Sequence, residues 1–370
     1  MKKVCVVTAA RSEYGLLKWI MSELMKADDI KLQVLVTGAH LSPEHGMTVN
    51  EIIDDGFEVD REVEMLLSTQ TDVGIAKSMG LCSMGIADAL AELKPDLVVV
   101  LGDRYELLPI CSVALVMGLM ICHISGGDIT EGAIDDQVRN AITMMSSLHF
   151  PGTEESASRI RRMRGSKCNV FVSGEPGLDN FIRYELMTRK ELAENLHLDI
   201  NANWYLLTLH PETKQSVEAN IKMAKNVIDA LMQQDNVQCV ITQANADLGG
   251  SQINAYFTEI CAEHPTKFSI YPSLGQRRYL SFMKQVACVV GNSSSGIVEA
   301  PFLGKAAVNI GNRQKGRHVC TNVRSVVNDA DFIACALKEV AGKDVAPDYY
   351  YGDGHSAERI SKKIIEFVCK

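Results

Sequence analysis

No two of the 11 cysteines are spaced Cys-x-x-Cys, so a zinc ribbon or a thiol–disulfide exchange pair has no support. A surplus of basic charge is also missing. The formal net charge is -9, which argues against general nucleic-acid binding, because polyphosphate backbones attract basic surfaces. One small nucleotide is not excluded, since a few local donors hold it. Neither Gly-x-x-x-x-Gly-Lys-Ser/Thr nor Gly-x-Gly-x-x-Gly occurs, so a triphosphate P-loop and a simple dinucleotide site lack support. No run of about 18 apolar residues appears, and no membrane-spanning helix is expected. The apolar start Val4–Val7 is too short for a signal-peptide core. Internal repeats and low-complexity tracts are absent. Cys5, Cys122, Cys239 and Cys288 fall inside apolar β-like runs. They read as small buried hydrophobes in a reducing compartment, so a cytoplasmic location is expected.

What is present is alternation. The chain has 370 residues, long for one core, and two domains are expected. Short β-rich runs are read at Lys3–Thr8, Leu32–Thr37, Leu97–Leu101, Met120–Ile124 and Val170–Ser173. A second series is read at Trp204–Leu209, Val237–Thr242, Phe268–Tyr271, Ala287–Val290 and Ala307–Ile310. Helical patterns lie between them, at about 15–27, 72–93, 106–117, 134–145, 216–233 and 299–303, with a last one at 356–368. Runs such as Leu97-Val98-Val99-Val100-Leu101 do not alternate, as expected for parallel strands buried on both faces. Strand-helix alternation implies α/β architecture. Gly174, Pro176 and Gly177 interrupt the pattern. The expectation is two Rossmann-like domains with a central cleft, 1–174 and 175–356, the segment 357–370 either staying on the second or crossing back to the first. In such sheets ligands sit outside the carboxyl ends of the strands. Arg11, Asp103, Ser125–Asp135, His210 and Ser293 all fall at such ends.

Two segments carry the chemistry. Ser125–Asp136 packs four acidic residues and three glycines beside an apolar run, which suits proton transfer. Gly291–Glu299, with Ser293, Ser294, Ser295 and Gly296, follows the apolar run Val286–Val290. Small residues let backbone N–H groups approach an anion, and a helix start adds positive potential. The same residues also read as an ordinary helix cap. Glu299 suits ribose hydroxyls or a first-turn acid that complements the helix dipole. Arg313, in Gly311-Asn312-Arg313-Gln314-Lys315-Gly316-Arg317, suits a diphosphate or a solvated basic loop. Asp103 sits in Gly102-Asp103-Arg104, which reads as a cleft carboxylate or a turn. Arg139 lies four residues after Asp135, so an ion pair on one helix face is expected. His210 ends a strand, where an imidazole serves proton transfer or a phosphate contact.

These residues resemble the UDP-N-acetylglucosamine 2-epimerase family, and within it the hydrolysing branch of the sialic and legionaminic acid pathways. The likeness covers nearly the whole chain. It rests on Arg11-Ser12-Glu13-Tyr14, Thr37-Gly38-Ala39-His40-Leu41, Gly102-Asp103-Arg104, His123-Ile124-Ser125-Gly126-Gly127, Ile134-Asp135-Asp136, Thr208-Leu209-His210-Pro211, Gly291–Gly296 and Arg313-Gln314-Lys315-Gly316-Arg317. The resemblance implies a GT-B-like fold and a homo-oligomer, a dimer or a tetramer. It also implies elimination of the nucleoside diphosphate across carbons 1 and 2, then rehydration. It implies no cofactor and no metal, a nucleotide-sugar partner, and neither nucleic acid nor membrane. UDP-GlcNAc is the leading substrate on this reading, and a UDP- or GDP-linked 2,4-diacetamido-2,4,6-trideoxyhexose is the rival. The same scaffold also suits a GT-B glycosyltransferase or a non-catalytic nucleotide-sugar-binding regulator. By resemblance Asp103 and Asp135 are catalytic carboxylates, and Arg139 and His210 active-site residues. Ser293, Ser294 and Arg313 contact the diphosphate, Glu299 the ribose, and Arg11 the nucleotide side. Many sialic-acid-pathway members carry Glu where this chain has Ser125. The following loop is one residue longer here, and Glu131 is expected to supply the missing carboxylate.

Overall fold

All five side chains of Leu97–Leu101 are buried, and the segment pairs in parallel with a strand on either side. This is the arrangement that its unbroken apolar run demands. The computed structural model describes residues 1–68, 71–129, 134–245, 249–343 and 345–370. The chain divides into two compact units. The first comprises Met1–Asp128, Ile134–Asp179 and Gly352–Lys370, and the second is built on Asn180–Tyr351.

The first unit carries β1 (Lys2–Thr8), β2 (Ile30–Thr37), β3 (Arg61–Val63), β4 (Leu97–Leu101), β5 (Met120–Ile124) and β6 (Leu148–Phe150). Its helices are α1 (Arg11–Met25), α2 (Val49–Asp54), α3 (Asp72–Leu93), α4 (Leu107–Val116), α5 (Asp135–Met145) and α6 (Glu154–Arg164), and α7 (Asp179–Arg183) follows at the boundary. The second unit carries α8 (Arg189–Leu196), β7 (Asn203–Thr208), α9 (Val217–Met232), β8 (Val237–Thr242), α10 (Gly250–Glu263), β9 (Phe268–Tyr271) and α11 (Gln276–Gln285). It continues with β10 (Cys288–Gly291), α12 (Glu299–Phe302), β11 (Ala307–Ile310), β12 (Val323–Val326) and α13 (Ala330–Val340), before α14 (Ser356–Val368).

Both sheets are six-stranded, with orders β3-β2-β1-β4-β5-β6 and β12-β11-β10-β7-β8-β9. Every pair between these strands is parallel. These are two doubly wound α/β units of the GT-B-like kind. In each, strand order reverses at the centre, between β1 and β4 in one and between β7 and β10 in the other. Ligands of doubly wound sheets sit at such switch points. The residues just past those strands are Arg11 and Asp103 in the first unit, and His210 and Asn292 in the second.

The last helix belongs to the first unit. Ile360, Ile364 and Val368 of α14 join the core that holds Leu17, Ile20 and Leu24 of α1. The buried Asp179 caps α14: its Oδ1 accepts from Ser356 N at 2.9 Å and its Oδ2 from Ala357 N at 2.8 Å.

Two expectations change, and a third feature needs its packing to be read. The run Val170–Ser173 forms no strand and makes one bridge, Val170 to His149, because the chain turns away at Gly174, whose φ is 82°. α1 begins at Arg11 rather than at Gly15, so Arg11 opens a helix instead of lying on a loop. α3, at 22 residues, is long and apolar enough to cross a membrane by length and composition. It nonetheless packs on the sheet through Cys82, Ile86, Ala89 and Leu90, which share a core with Val98 and Val100 of β4. Cys5, Cys122, Cys239 and Cys288 are buried as expected.

Candidate active site

In the first unit the site is built where β4 and β5 end. Gly102, with φ 88°, turns the chain out of β4 and presents Asp103. The Asp103 carboxylate is ion-paired with Arg139 Nη2. Arg139 is only 3% exposed, whereas Asp103 keeps 30% of its side-chain surface. The cation is therefore fixed and dry, and the carboxylate stays accessible for proton transfer. Arg139 Nη1 also donates to the Asp128 carbonyl at 2.8 Å and lies 3.6 Å from Asp136 Oδ1. Asp135 is the first residue of α5. On that helix Arg139 stands within ion-pair reach of Asp136, one turn before it. Two acids in the first turn also complement the helix dipole.

Two residues outside the expected set hold this geometry. His123 is fully buried. Its Nε2 lies 2.8 Å from the Gly102 carbonyl, so that nitrogen donates and Nδ1 accepts from Thr143 Oγ1 at 3.1 Å. One imidazole thereby ties the turn before Asp103 to the helix that carries Arg139. Burial lowers its pKa to about 4, so it is neutral near pH 7 and acts as a brace. Asp128 is the second: its Oδ1 accepts from Ser156 Oγ at 2.6 Å. The turn before it requires glycine. Gly127 has φ 83°, and a Cβ there would stand 2.4 Å from the Ser156 carbonyl oxygen. The acidic, glycine-rich composition pointed to this segment, but nothing in the sequence separated Asp128 from its acidic neighbours.

Ser125 adopts φ 57°, a left-handed conformation unusual for a side-chain-bearing residue. Its hydroxyl donates to Glu175 Oε2 at 3.3 Å. A carboxylate thus stands beside Ser125 from another segment. Glu131, expected to fill that role, lies outside the described residues. Arg11 pairs with Glu51, its Nε 3.0 Å from Oε1. Beneath Arg104, the buried Glu13 accepts from Ala9 N at 2.8 Å. Burial raises its pKa to about 7, against the opposing pull of the Ala9 amide and Arg104. A carboxyl whose pKa rises on folding stabilises the fold at pH below its unfolded value. That contribution disappears as pH climbs through the folded value. Glu13→Gln is therefore expected to gain on the wild type in urea midpoint between about pH 5 and about pH 8. A difference that stays constant over that range contradicts the assignment.

In the second unit, Asn292 joins three loops. It is fully buried. Its Oδ1 accepts from His210 N at 2.8 Å and its Nδ2 donates to the His210 carbonyl at 2.8 Å. Its own carbonyl accepts from Gln314 Nε2 at 2.8 Å and Arg313 Nη1 at 3.3 Å. His210, the serines and Arg313 are brought together in this way. His210 Nδ1 accepts from Asn245 N at 3.1 Å, which leaves Nε2 as the protonated nitrogen of the neutral ring.

The serine segment is a turn that leads into a helix close to the expected 299–303. Ser294–Gly296 form one 3-10 turn and α12 has four residues. Pro301 sits in α12 without an N–H, and Gly304, at φ 64°, ends the turn. A helix this short contributes little dipole, and the turn's amides are already committed, Ser295 N to Ser293 Oγ at 3.4 Å and Gly296 N to the Ser293 carbonyl at 3.2 Å, which leaves the Ser293, Ser294 and Ser295 hydroxyls as the candidate anion donors. Glu299 opens α12. Its Oε2 is buried and has no hydrogen-bond partner among the described residues. Loss of water raises its pKa, and Arg317 counteracts part of this. Tyr279, near Ser295 and Glu299, is pushed up to about 12 by burial. Among the described residues, no cluster of three or more His, Cys, Asp or Glu is arranged to hold a metal ion.

The first unit thus presents an accessible carboxylate beside a buried cation at its switch point, and the second gathers His210, the serines and Arg313 around Asn292 at its own. The family model for UDP-N-acetylglucosamine 2-epimerase matches residues 22–365, and the chain belongs to that family. It is 38% identical over 331 residues to a GDP/UDP-N,N'-diacetylbacillosamine 2-epimerase (hydrolyzing) of Campylobacter jejuni, covering 89% of this chain and 86% of that one. It is 32% identical over 360 residues to the UDP-N,N'-diacetylbacillosamine 2-epimerase (hydrolyzing) of Legionella pneumophila, covering 97% and 94%. The crystal structure of UDP-GlcNAc 2-epimerase from Neisseria meningitidis bound to UDP-GlcNAc has the same fold, with TM-score 0.83, 17% identity, and coverage of 98% and 100%. The enzyme class is that of a hydrolysing nucleotide-sugar 2-epimerase, which sets aside the transferase and non-catalytic readings.

Proposed function

We propose that the chain hydrolyses a UDP- or GDP-linked 2,4-diacetamido-2,4,6-trideoxyglucose, inverting carbon 2, and that UDP-GlcNAc ranks below it as a substrate. The observation that carries this choice is the 38% identity, over nearly nine-tenths of the chain, with an enzyme named for diacetylbacillosamine. The site supports the reaction type. A carboxylate removes the proton from carbon 2 while the bond from carbon 1 to the diphosphate oxygen breaks, leaving a glycal and the free nucleoside diphosphate. Water then adds at carbon 1, and a proton returns to carbon 2 on the opposite face. Asp103 is the leading base, with Asp128 and Asp135 as the other carboxylates on adjoining segments. Arg139 stabilises charge developing on the sugar. Ser293, Ser294, Arg313 and His210 receive the charge of the departing diphosphate, and each well-placed donor strengthens as that charge grows. The buried Glu299 Oε2 suits a ribose hydroxyl, a donor that would satisfy it. Arg11 remains a nucleotide-side contact on this reading.

The test is a proton NMR time course in D₂O with the UDP-diacetamido sugar, its GDP counterpart and UDP-GlcNAc in separate tubes. The expected result is fastest release of nucleoside diphosphate from a diacetamido substrate, with a manno-configured product deuterated at carbon 2. Faster turnover of UDP-GlcNAc would reverse the substrate order, and no turnover in any tube would refute the reaction.

A further inference from the structure

We propose that Glu212 is a positioning residue that sets the diphosphate loop, and that it makes the Arg313 side chain, not the loop amides, the anion contact. The inference rests on the reading that this loop holds the diphosphate. Glu212 lies two residues past His210, and its Oε1 accepts from Asn312 N at 2.6 Å and from Arg313 N at 3.1 Å. Both amides are thereby committed to a carboxylate. A bare glycine-containing loop would offer those amides to a phosphate, but here the loop's anion contact falls to the guanidinium. The approach is close by construction: a Cβ on Gly311 would stand 2.4 Å from Glu212 Oε1.

Glu212 is itself held. Its backbone N donates to Asn220 Oδ1 at 2.8 Å, and its carbonyl accepts from Asn220 Nδ2 at 3.2 Å and from Gln215 N at 2.8 Å. The brace therefore runs from α9 through Glu212 to the loop after β11. Behind it lies a cavity of about 390 Å³, lined by Glu212, Met223, Asn312, Val326, Val327 and Asn328. This space gives the loop somewhere to move once the carboxylate is removed. A negative charge beside an anion site costs affinity by repulsion, so its presence is offset only if the loop geometry it imposes is worth more.

The experiment is calorimetric titration of UDP and of GDP into the wild type, Glu212→Ala and Glu212→Gln, together with KM and kcat for the diacetamido substrate and melting curves. The Ala variant loses two hydrogen bonds to a charged acceptor, so its Kd is expected to rise by about 10-fold or more. KM should rise with it while kcat changes little and the melting curve holds. Gln keeps an oxygen acceptor at the same reach without the repelling charge, so it should restore Kd to near the wild-type value. Glu212→Asp, one methylene shorter, should weaken binding as Ala does, and it carries the test if the Ala variant does not fold. Wild-type affinity in the Ala or Asp variant overturns the inference, as does a Gln variant that binds no better than Ala. A wild type that binds UDP or GDP without turning over any sugar nucleotide would refute the proposed reaction and leave this test standing. A wild type that binds neither nucleotide overturns both.

Discussion

Asp103→Asn is expected to lower kcat by about 10²–10⁴, the range over which a positioned acid or base contributes, while leaving the fold nearly as stable. The amide oxygen of the new side chain still accepts from Arg139 Nη2, and the site of substitution is partly solvated. What disappears is the ability to take a proton. Arg139→Met should behave differently. Its guanidinium is buried and also serves the Asp128 carbonyl and Asp136. Removing it takes the donor from the Asp128 carbonyl and the cation from Asp103, so activity and stability should fall together. Measured release of nucleoside diphosphate, paired with urea unfolding, separates the two patterns. An Asp103→Asn enzyme with more than about a tenth of wild-type kcat would fall short of the smallest expected base contribution and remove Asp103 from that role.

Gly291→Ala is expected to destabilise the second unit by about 2–4 kcal/mol, combining backbone strain with overpacking. Gly291 has φ 127°, and a Cβ there would lie 2.0 Å from the Thr208 carbonyl oxygen and 2.8 Å from its carbon. The two residues are register partners between β10 and β7, so neither backbone moves without breaking the sheet where Asn292 and the serines emerge. Nucleoside diphosphate binding should weaken along with stability. Gly296→Ala supplies the contrast for the fold alone. Its Cβ would meet only Val289 Cγ1 at 3.8 Å and Ala307 Cβ at 3.9 Å, an ordinary contact, so its urea midpoint should stay near that of the wild type. Equal midpoints for wild type and Gly291→Ala would contradict the steric argument.

The central strands were legible because burial on both faces leaves them few polar residues. β4 and β5 have the ends that the sequence indicates, and β8, β9 and β11 likewise. Of the edge strands β9 was legible, but β3 and β12 were not. β3 is Arg-Glu-Val, and β12 exposes Arg324 and Ser325, the mark of strands with one open flank and little burial to record. α6 reads as charged, Glu-Glu-Ser-Ala-Ser-Arg-Ile-Arg-Arg-Met-Arg, and only Ser156, Ala157 and Ile160 touch the interior, so its apolar stripe was too thin to notice. Among the site candidates, Asp103, His210 and Arg313 stood out because charged residues at strand ends invite attention, and Arg139 through its spacing from Asp135. His123, Asn292 and Glu212 did not. Each acts by bonding to backbone atoms that lie 21 to 101 residues away in sequence, a relationship that only the folded chain creates.

The return of α14 to the first unit has a bearing on how the protein is made. As the chain leaves the ribosome, the first six strands and the helices between them are available early, yet the Ser356 and Ala357 amides that Asp179 accepts are still to be made and the α1 face that takes Ile360 and Ile364 stays wet. The whole second unit must be synthesised before that face is covered. The nascent first unit therefore passes through a long interval with an apolar flank open to solvent, in which chaperone capture competes with premature association. Its folding is completed by a helix made only after the whole second unit.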